Sequence, residues 1–129
     1  MHRLSDTEFE IMEYAWAIKP PFTTAMVMEL IGRRRGWRIQ TAVTLLGRLM
    51  EHGFLRCERA ARGRERLFYP TVSQQEYLRF ETGEFVTRYH KSSIASLIGS
   101  LRGSALTDAD LEELSMFVEQ ARKGGGEDD

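Results

Sequence analysis

Ten arginines fall between residues 33 and 66, against three glutamates, so this block carries a charge of +7. The flanking segments are acidic, −3 over 1–32 and −5 over 67–129, and the net −1 of the whole chain hides the contrast. A basic block between acidic ends is an electrostatic footprint for a polyanion. Every cation in the block is arginine, whose planar fork matches phosphate and guanine edges. Among them stand Gln40, Thr41, Val43 and Thr44, flanked by Arg38 and Arg48. Gln bridges adenine, and Thr and Val methyls touch the thymine methyl. Arg62, Arg64 and Arg66 follow at alternate positions and reach phosphates or a minor groove. The chemistry implied is recognition of nucleic acid. The bland alternative for such a run is a solvated charged surface.

Other reactive side chains are sparse. The one cysteine, Cys57, would need His52 or His90 as a base to act as a nucleophile. It falls on the inward side of an alternating strand, where a cysteine is usually a small buried hydrophobe. His2, His52 and His90 have no metal-ligand spacing. No catalytic residue, metal or cofactor is expected, and one cysteine leaves no internal disulfide.

The elements that must position the basic block are legible from periodicity. Ser5-Asp6-Thr7-Glu8 is a capping box, followed by Phe9, Met12, Ala15 and Trp16 on one helical face up to Lys19-Pro20-Pro21. Thr23 or Thr24 caps a second helix with Met26, Val27, Leu30 and Ile31 inward, and Gly32 and Gly36 bracket a break. A third helix spans about 39–51. Ala42, Leu45, Leu46 and Leu49 form its buried stripe; Gln40, Thr44, Gly47 and Glu51 face outward; Gly53 ends it. A strand over 54–58 and a return strand over 67–69 enclose a hairpin tip, 59–66, that turns at Gly63. Three helices and a basic hairpin are the order of a winged helix-turn-helix, whose third helix enters the DNA major groove. Winged helices also serve as protein-interaction or RNA-binding modules. The short polar face favours duplex DNA, because the RNA major groove is too narrow for a helix.

Everything after Ser73 reads as helical and acidic. Ser73-Gln74-Gln75-Glu76 is a second capping box and leads into Tyr77, Phe80, Phe85, Val86 and Tyr89. These aromatics either pack a core or line a pocket for a small ligand that releases the protein from DNA. Leu97, Ile98, Leu101, Leu111, Leu114, Phe117 and Val118 are more apolar surface than lone helices keep in water, so they are expected in a subunit interface. A two-fold dimer would read a palindromic site. The fold class expected is mainly α with a small β wing: a winged helix-turn-helix domain over 1–72, helical dimerisation domain over 73–123, and disordered acidic tail over 124–129. No run reaches the ~18 apolar residues of a membrane helix. The first residues lack a signal-peptide core, so a cytoplasmic location is expected.

Leu4-Ser5-Asp6-Thr7-Glu8-Phe9-Glu10-Ile11-Met12-Glu13-Tyr14-Ala15-Trp16 resembles the opening of penicillinase repressors of the BlaI/MecI family. Thr41-Ala42-Val43-Thr44-Leu45-Leu46-Gly47-Arg48-Leu49, then Gly53-Phe54-Leu55, Gly63-Arg64 through Tyr69-Pro70, and Ser73 to Tyr77 are similar in turn. The resemblance covers about residues 4–121. It implies a dimeric repressor of β-lactamase or penicillin-binding-protein genes, with a β-lactam-sensing membrane protease as partner. The family's cleaved bond joins Asn to Phe; the corresponding place here is Ser100-Leu101. A sister branch senses copper through a C-terminal Cys-x-Cys, and this chain has no cysteine after Cys57.

Overall fold

Ser5 starts the first helix, α1 (Asp6–Ala17), through the reciprocal bonds its spacing predicts. Its hydroxyl accepts from the Glu8 N–H at 3.3 Å, and Glu8 Oε1 accepts from the Ser5 N–H at 2.9 Å. Two otherwise orphaned donors are thereby satisfied. The computed structural model describes residues 1–103 and 105–127. They divide into two compact units, Met1–Gly83 and Glu84–Asp129.

In the first unit α1 presents Ile11, Met12 and Ala15 to the core, with Phe9 and Trp16 half-buried beside them. The Thr23 hydroxyl caps α2 (Thr24–Val27), which runs through a wide turn (Met28–Gly32) into α3 (Arg33–Arg35). The helical run is therefore unbroken at Gly32, where the sequence predicts a break; it ends at Gly36, whose φ of +70° closes it. Gly32 is buried, and an added Cβ would lie 2.7 Å from Met28 Sδ, so its role is room. Val27 and Ile31 are buried as expected, but Met26 and Leu30 are exposed. Val27 and Ile31 are spaced i,i+4, and with half-buried Met28 they already fill the core face.

The third predicted helix is α4 (Ile39–Glu51), with Ala42, Leu45, Leu46 and Leu49 all buried. Gly53, at φ +80°, is its C′ residue. Phe54 N–H donates to Leu49 O at 2.8 Å and Gly53 N–H to Met50 O at 3.1 Å, the two bonds of a Schellman motif. The chain then enters β1 (Leu55–Arg59), paired antiparallel with β2 (Arg66–Pro70) in the register Leu55↔Pro70 to Arg59↔Arg66. Gly63 adopts φ +86° between them.

A third rung was not legible. Phe22 exchanges both backbone hydrogen bonds with Phe68, at 3.1 and 2.8 Å, and the two rings stack at 5.6 Å. β2 thus lies between Phe22 and β1, and β1 is the outer edge. Cys57 is exposed and not a buried inward residue: along β1 only Leu55 is buried. Alternation buries a side chain only where something covers that face, and at Cys57 nothing does.

The helix α5 (Gln74–His90) opens with the predicted Ser73–Glu76 capping box. Its first turns complete the core of the first unit, so the boundary falls at Gly83 and not at 72. Tyr77 is 2% exposed and packs its ring near Phe9, Trp16, Phe54 and Phe80.

The second unit holds the end of α5, α6 (Ile94–Leu101) and α7 (Asp108–Glu127). Ser93 caps α6 through its hydroxyl, and Thr107 and Asp110 bond reciprocally at the start of α7. Those bonds from Thr107 hold the Asp110 carboxyl below its ordinary range. The helix continues through residues 124–127, where composition suggests a disordered tail. Asp128 and Asp129 lie outside the described residues.

Candidate nucleic-acid interface

Helix α4 is amphipathic in the sense an interface requires. One side is sealed into the core by four buried residues, so the other side is fixed in orientation. Arg38, Gln40, Thr41, Val43, Thr44 and Arg48 are all exposed. Gln40, Thr41, Thr44, Leu45 and Arg48 line a shallow concavity on this helix. A second one, toward the wing, is lined by Thr24, Val43, Gly47, Met50, Arg66 and Phe68 among others.

The wing carries Arg62, Arg64 and Arg66, all exposed. Its base is held by Thr71, whose N–H donates to Phe54 O at 2.9 Å and whose hydroxyl donates to Gly53 O at 2.6 Å. Trp16 adds a bond from its indole N–H to Val72 O at 2.9 Å. Along the strands Arg56 lies over the ring of its cross-strand partner Tyr69, 4.1 Å from the centroid, and pairs with Glu58 at 2.6 Å. The hairpin is thus anchored at its root and free at its basic tip.

The ten arginines do not form one surface. Arg34 and Arg35 both pair with Glu10, Arg35 through an Nε–Oε2 bond of 2.6 Å, and Arg33 pairs with Glu29 at 2.8 Å. Together with Arg56, four of the ten are engaged by carboxylates. Among the described residues no carboxylate lies within ion-pair distance of Arg38, Arg48, Arg59, Arg62, Arg64 or Arg66. The cationic surface therefore centres on α4 and the wing. Sequence spacing could not reveal that Glu10 reaches the arginine triplet from another helix.

Two features escaped the sequence reading. Ile39, the first residue of α4, is 59% exposed beside Val43 at 47%. His2 and His52, remote in sequence, stack with ring centroids 3.7 Å apart. No group of three or more His, Cys, Asp or Glu that could hold a metal ion occurs among the described residues. No described helix is long and apolar enough to cross a membrane.

The residues expected in a subunit interface lie on α6 and α7. Leu97, Ile98, Leu101 and Leu114 are half-buried; Leu111, Phe117 and Val118 are exposed. Ser100 and Leu101 are the last two residues of α6, followed by a turn at Arg102 and Gly103. The Ser100 hydroxyl donates to Leu97 O at 2.7 Å.

Several solved structures match along most of this chain at low identity. The transcriptional regulator SlyA is 20% identical, with 97% of this chain and 78% of that one covered and a TM-score of 0.46. Zinc-responsive ZitR of Lactococcus lactis, a MarR family member, is 16% identical, with 95% and 77% covered and a TM-score of 0.46. FabT of Streptococcus pneumoniae, solved in complex with DNA, is 13% identical, with 98% and 78% covered and a TM-score of 0.46. A search of curated proteins finds no match. The family model described as penicillinase repressor matches residues 4–120, from the Ser5 capping box through the wing and most of α7. A transcription regulator and not an enzyme, the chain belongs to the penicillinase repressor family.

Proposed function

We propose that this DNA-binding repressor works as a homodimer on a palindromic operator and is released when its C-terminal unit is cut. The observation that carries the assembly is the apolar surface of that unit. Ile94, Leu111, Met116, Phe117 and Val118 are all between 44% and 67% exposed, and no residue of α6 is buried. Large exposed apolar side chains on two consecutive helices mark an interaction surface. A second copy covers it by the same residues under two-fold symmetry. Two α4 helices then stand about one DNA turn, roughly 34 Å, apart.

In this reading Gln40, Thr41, Val43 and Thr44 meet base edges, while Arg38, Arg48, Arg62, Arg64 and Arg66 meet the backbone. Release follows from effective concentration. Docking one half presents the other without a new encounter, an advantage of roughly 10²–10⁴-fold that dissociation forfeits. The Ser100-Leu101 bond, at a helix end and beside a turn, is the place for the cut. The family supplies the agent, a membrane sensor protease responding to β-lactam. A repressor so built acts in the compartment that holds the DNA, the cytoplasm.

Sedimentation of the intact chain tests the assembly. The wild type should run as a dimer at micromolar concentration. Leu111→Asp with Phe117→Asp should run as a monomer and hold a palindromic duplex at least 10²-fold more weakly. A wild-type monomer at that concentration would remove both the dimer and the release mechanism.

A further inference from the structure

The two flanks of α4 differ in chemistry, and this difference bears on which operator is read. Around the outward line of Gln40 and Thr44, Thr41 and Arg48 occupy one flank, Ile39 and Val43 the other. Ile39 and Val43 are spaced i,i+4 and are therefore neighbours on the helix surface. Neither is explained by the fold. Both are β-branched, a poor choice for helix stability, and at 59% and 47% exposed neither contributes much to the core. Ile39 also holds the first helical position, where a polar or proline residue would serve a helix start better.

Resting on the DNA-binding reading above, we infer that Ile39 and Val43 form an apolar contact strip that selects thymines in the operator half-site. In the major groove the one apolar group on a base edge is the thymine C5-methyl. A strip of branched aliphatic carbon has no other partner there, and a polar base edge opposite it would lose water without regaining a bond. Four residues of helix advance about 6 Å, less than two base steps of about 3.4 Å. The strip therefore reaches methyls no more than two steps apart. The opposite flank reads donors and acceptors through Thr41 instead, beside Arg48 on the backbone. Specificity is split between the flanks: hydrogen bonds on one, methyl contacts on the other.

The test replaces thymine by uracil, which deletes the methyl and leaves every Watson–Crick group in place. The strongest-binding duplex is first selected from a randomised DNA library with the intact wild-type chain. Single uracil replacements are then scanned along each half-site by fluorescence anisotropy. One or two positions, no more than two steps apart, should weaken the wild type on the order of fourfold each. Ile39→Ala with Val43→Ala should bind the thymine and uracil duplexes equally, while its salt dependence stays that of the wild type. Both side chains are exposed, so the variant keeps its core; circular dichroism checks that it does. Equal affinity of the wild type for every uracil duplex would overturn the inference and leave DNA binding standing, as would a uracil penalty that persists in the variant. Failure of the wild type to retain any duplex would overturn the DNA-binding reading and this inference with it.

Discussion

Tyr77 Oη accepts a hydrogen bond from the Leu4 N–H at 2.9 Å, joining the first residues of the chain to the helix that leads out of the DNA-binding unit. The same phenol donates to Glu81 Oε2 at 2.7 Å, and Glu81 Oε1 pairs with Arg3 at 3.0 Å. Burial first, and then the Glu81 bond, push the Tyr77 phenol up to about 12. Tyr77→Phe leaves the Leu4 N–H and one carboxylate oxygen without their partner, and should destabilise the fold by about 1–3 kcal/mol. A phenol whose folded pKa exceeds its unfolded value of about 10 contributes stability that is complete below pH 10 and lost as pH rises toward 12. Denaturant titrations from pH 8 to 12 should therefore show the gap between wild type and variant closing above pH 10. A constant gap would contradict the bond.

The arginine partition makes a second prediction. Arg64→Ala should weaken binding to all duplexes about equally and reduce the slope of log K against log salt by about 2, one phosphate contact from each subunit. Arg34→Ala should change that slope less, because Arg34 already lies against the Glu10 carboxylate that it shares with Arg35. Equal slope changes in the two variants would show that the Glu10 pairing does not persist on DNA.

Gly47 lies within α4, with nothing within 4 Å of where a Cβ would stand. Glycine inside a helix costs about 0.5–1 kcal/mol relative to alanine. Gly47→Ala should raise stability by that amount, read as a higher denaturation midpoint with an unchanged slope. A lower midpoint would mean that the helix is more crowded there than its surface indicates.

Much of this was legible in the sequence where a rule acts over a few residues. The capping boxes at Ser5 and Ser73, the extent of α4 and the left-handed Gly53 all follow from neighbours within four positions. The misses are contacts between segments far apart in the chain. The Phe22–Phe68 rung is a single residue pair, too short to leave a period. The pairing of Glu10 with Arg34 and Arg35 divides a charge block that composition treats as one. Tyr77 reads as part of a C-terminal helix yet fills the first unit's core, because helix continuity hides where one core ends. Cys57 shares the inward line of Leu55 in the sequence, but alternation does not reveal that burial in β1 stops at Leu55. The exposure of the polar residues of α4 and of the wing arginines follows from type and spacing, whereas the exposure of Ile39 required the fold.

Thr44 tests the assignment of the reading face. It is exposed one turn after Gln40 on the outward line of α4. Thr44→Ala should erode the ratio of cognate to random-sequence binding by roughly 1–3 kcal/mol per lost base contact, with little change in non-specific affinity. An unchanged ratio would place the reading face elsewhere on the helix.

In the proposed function α4 and the basic wing form a DNA-binding surface. Six arginines per chain stand free of carboxylate partners among the described residues, and in a dimer about 6–10 phosphate contacts are expected of them. Anisotropy titration of a labelled duplex between 50 and 200 mM salt measures the consequence directly. Affinity should fall on the order of 10³–10⁵-fold across that range. An affinity that stays flat with salt would contradict the DNA-binding reading.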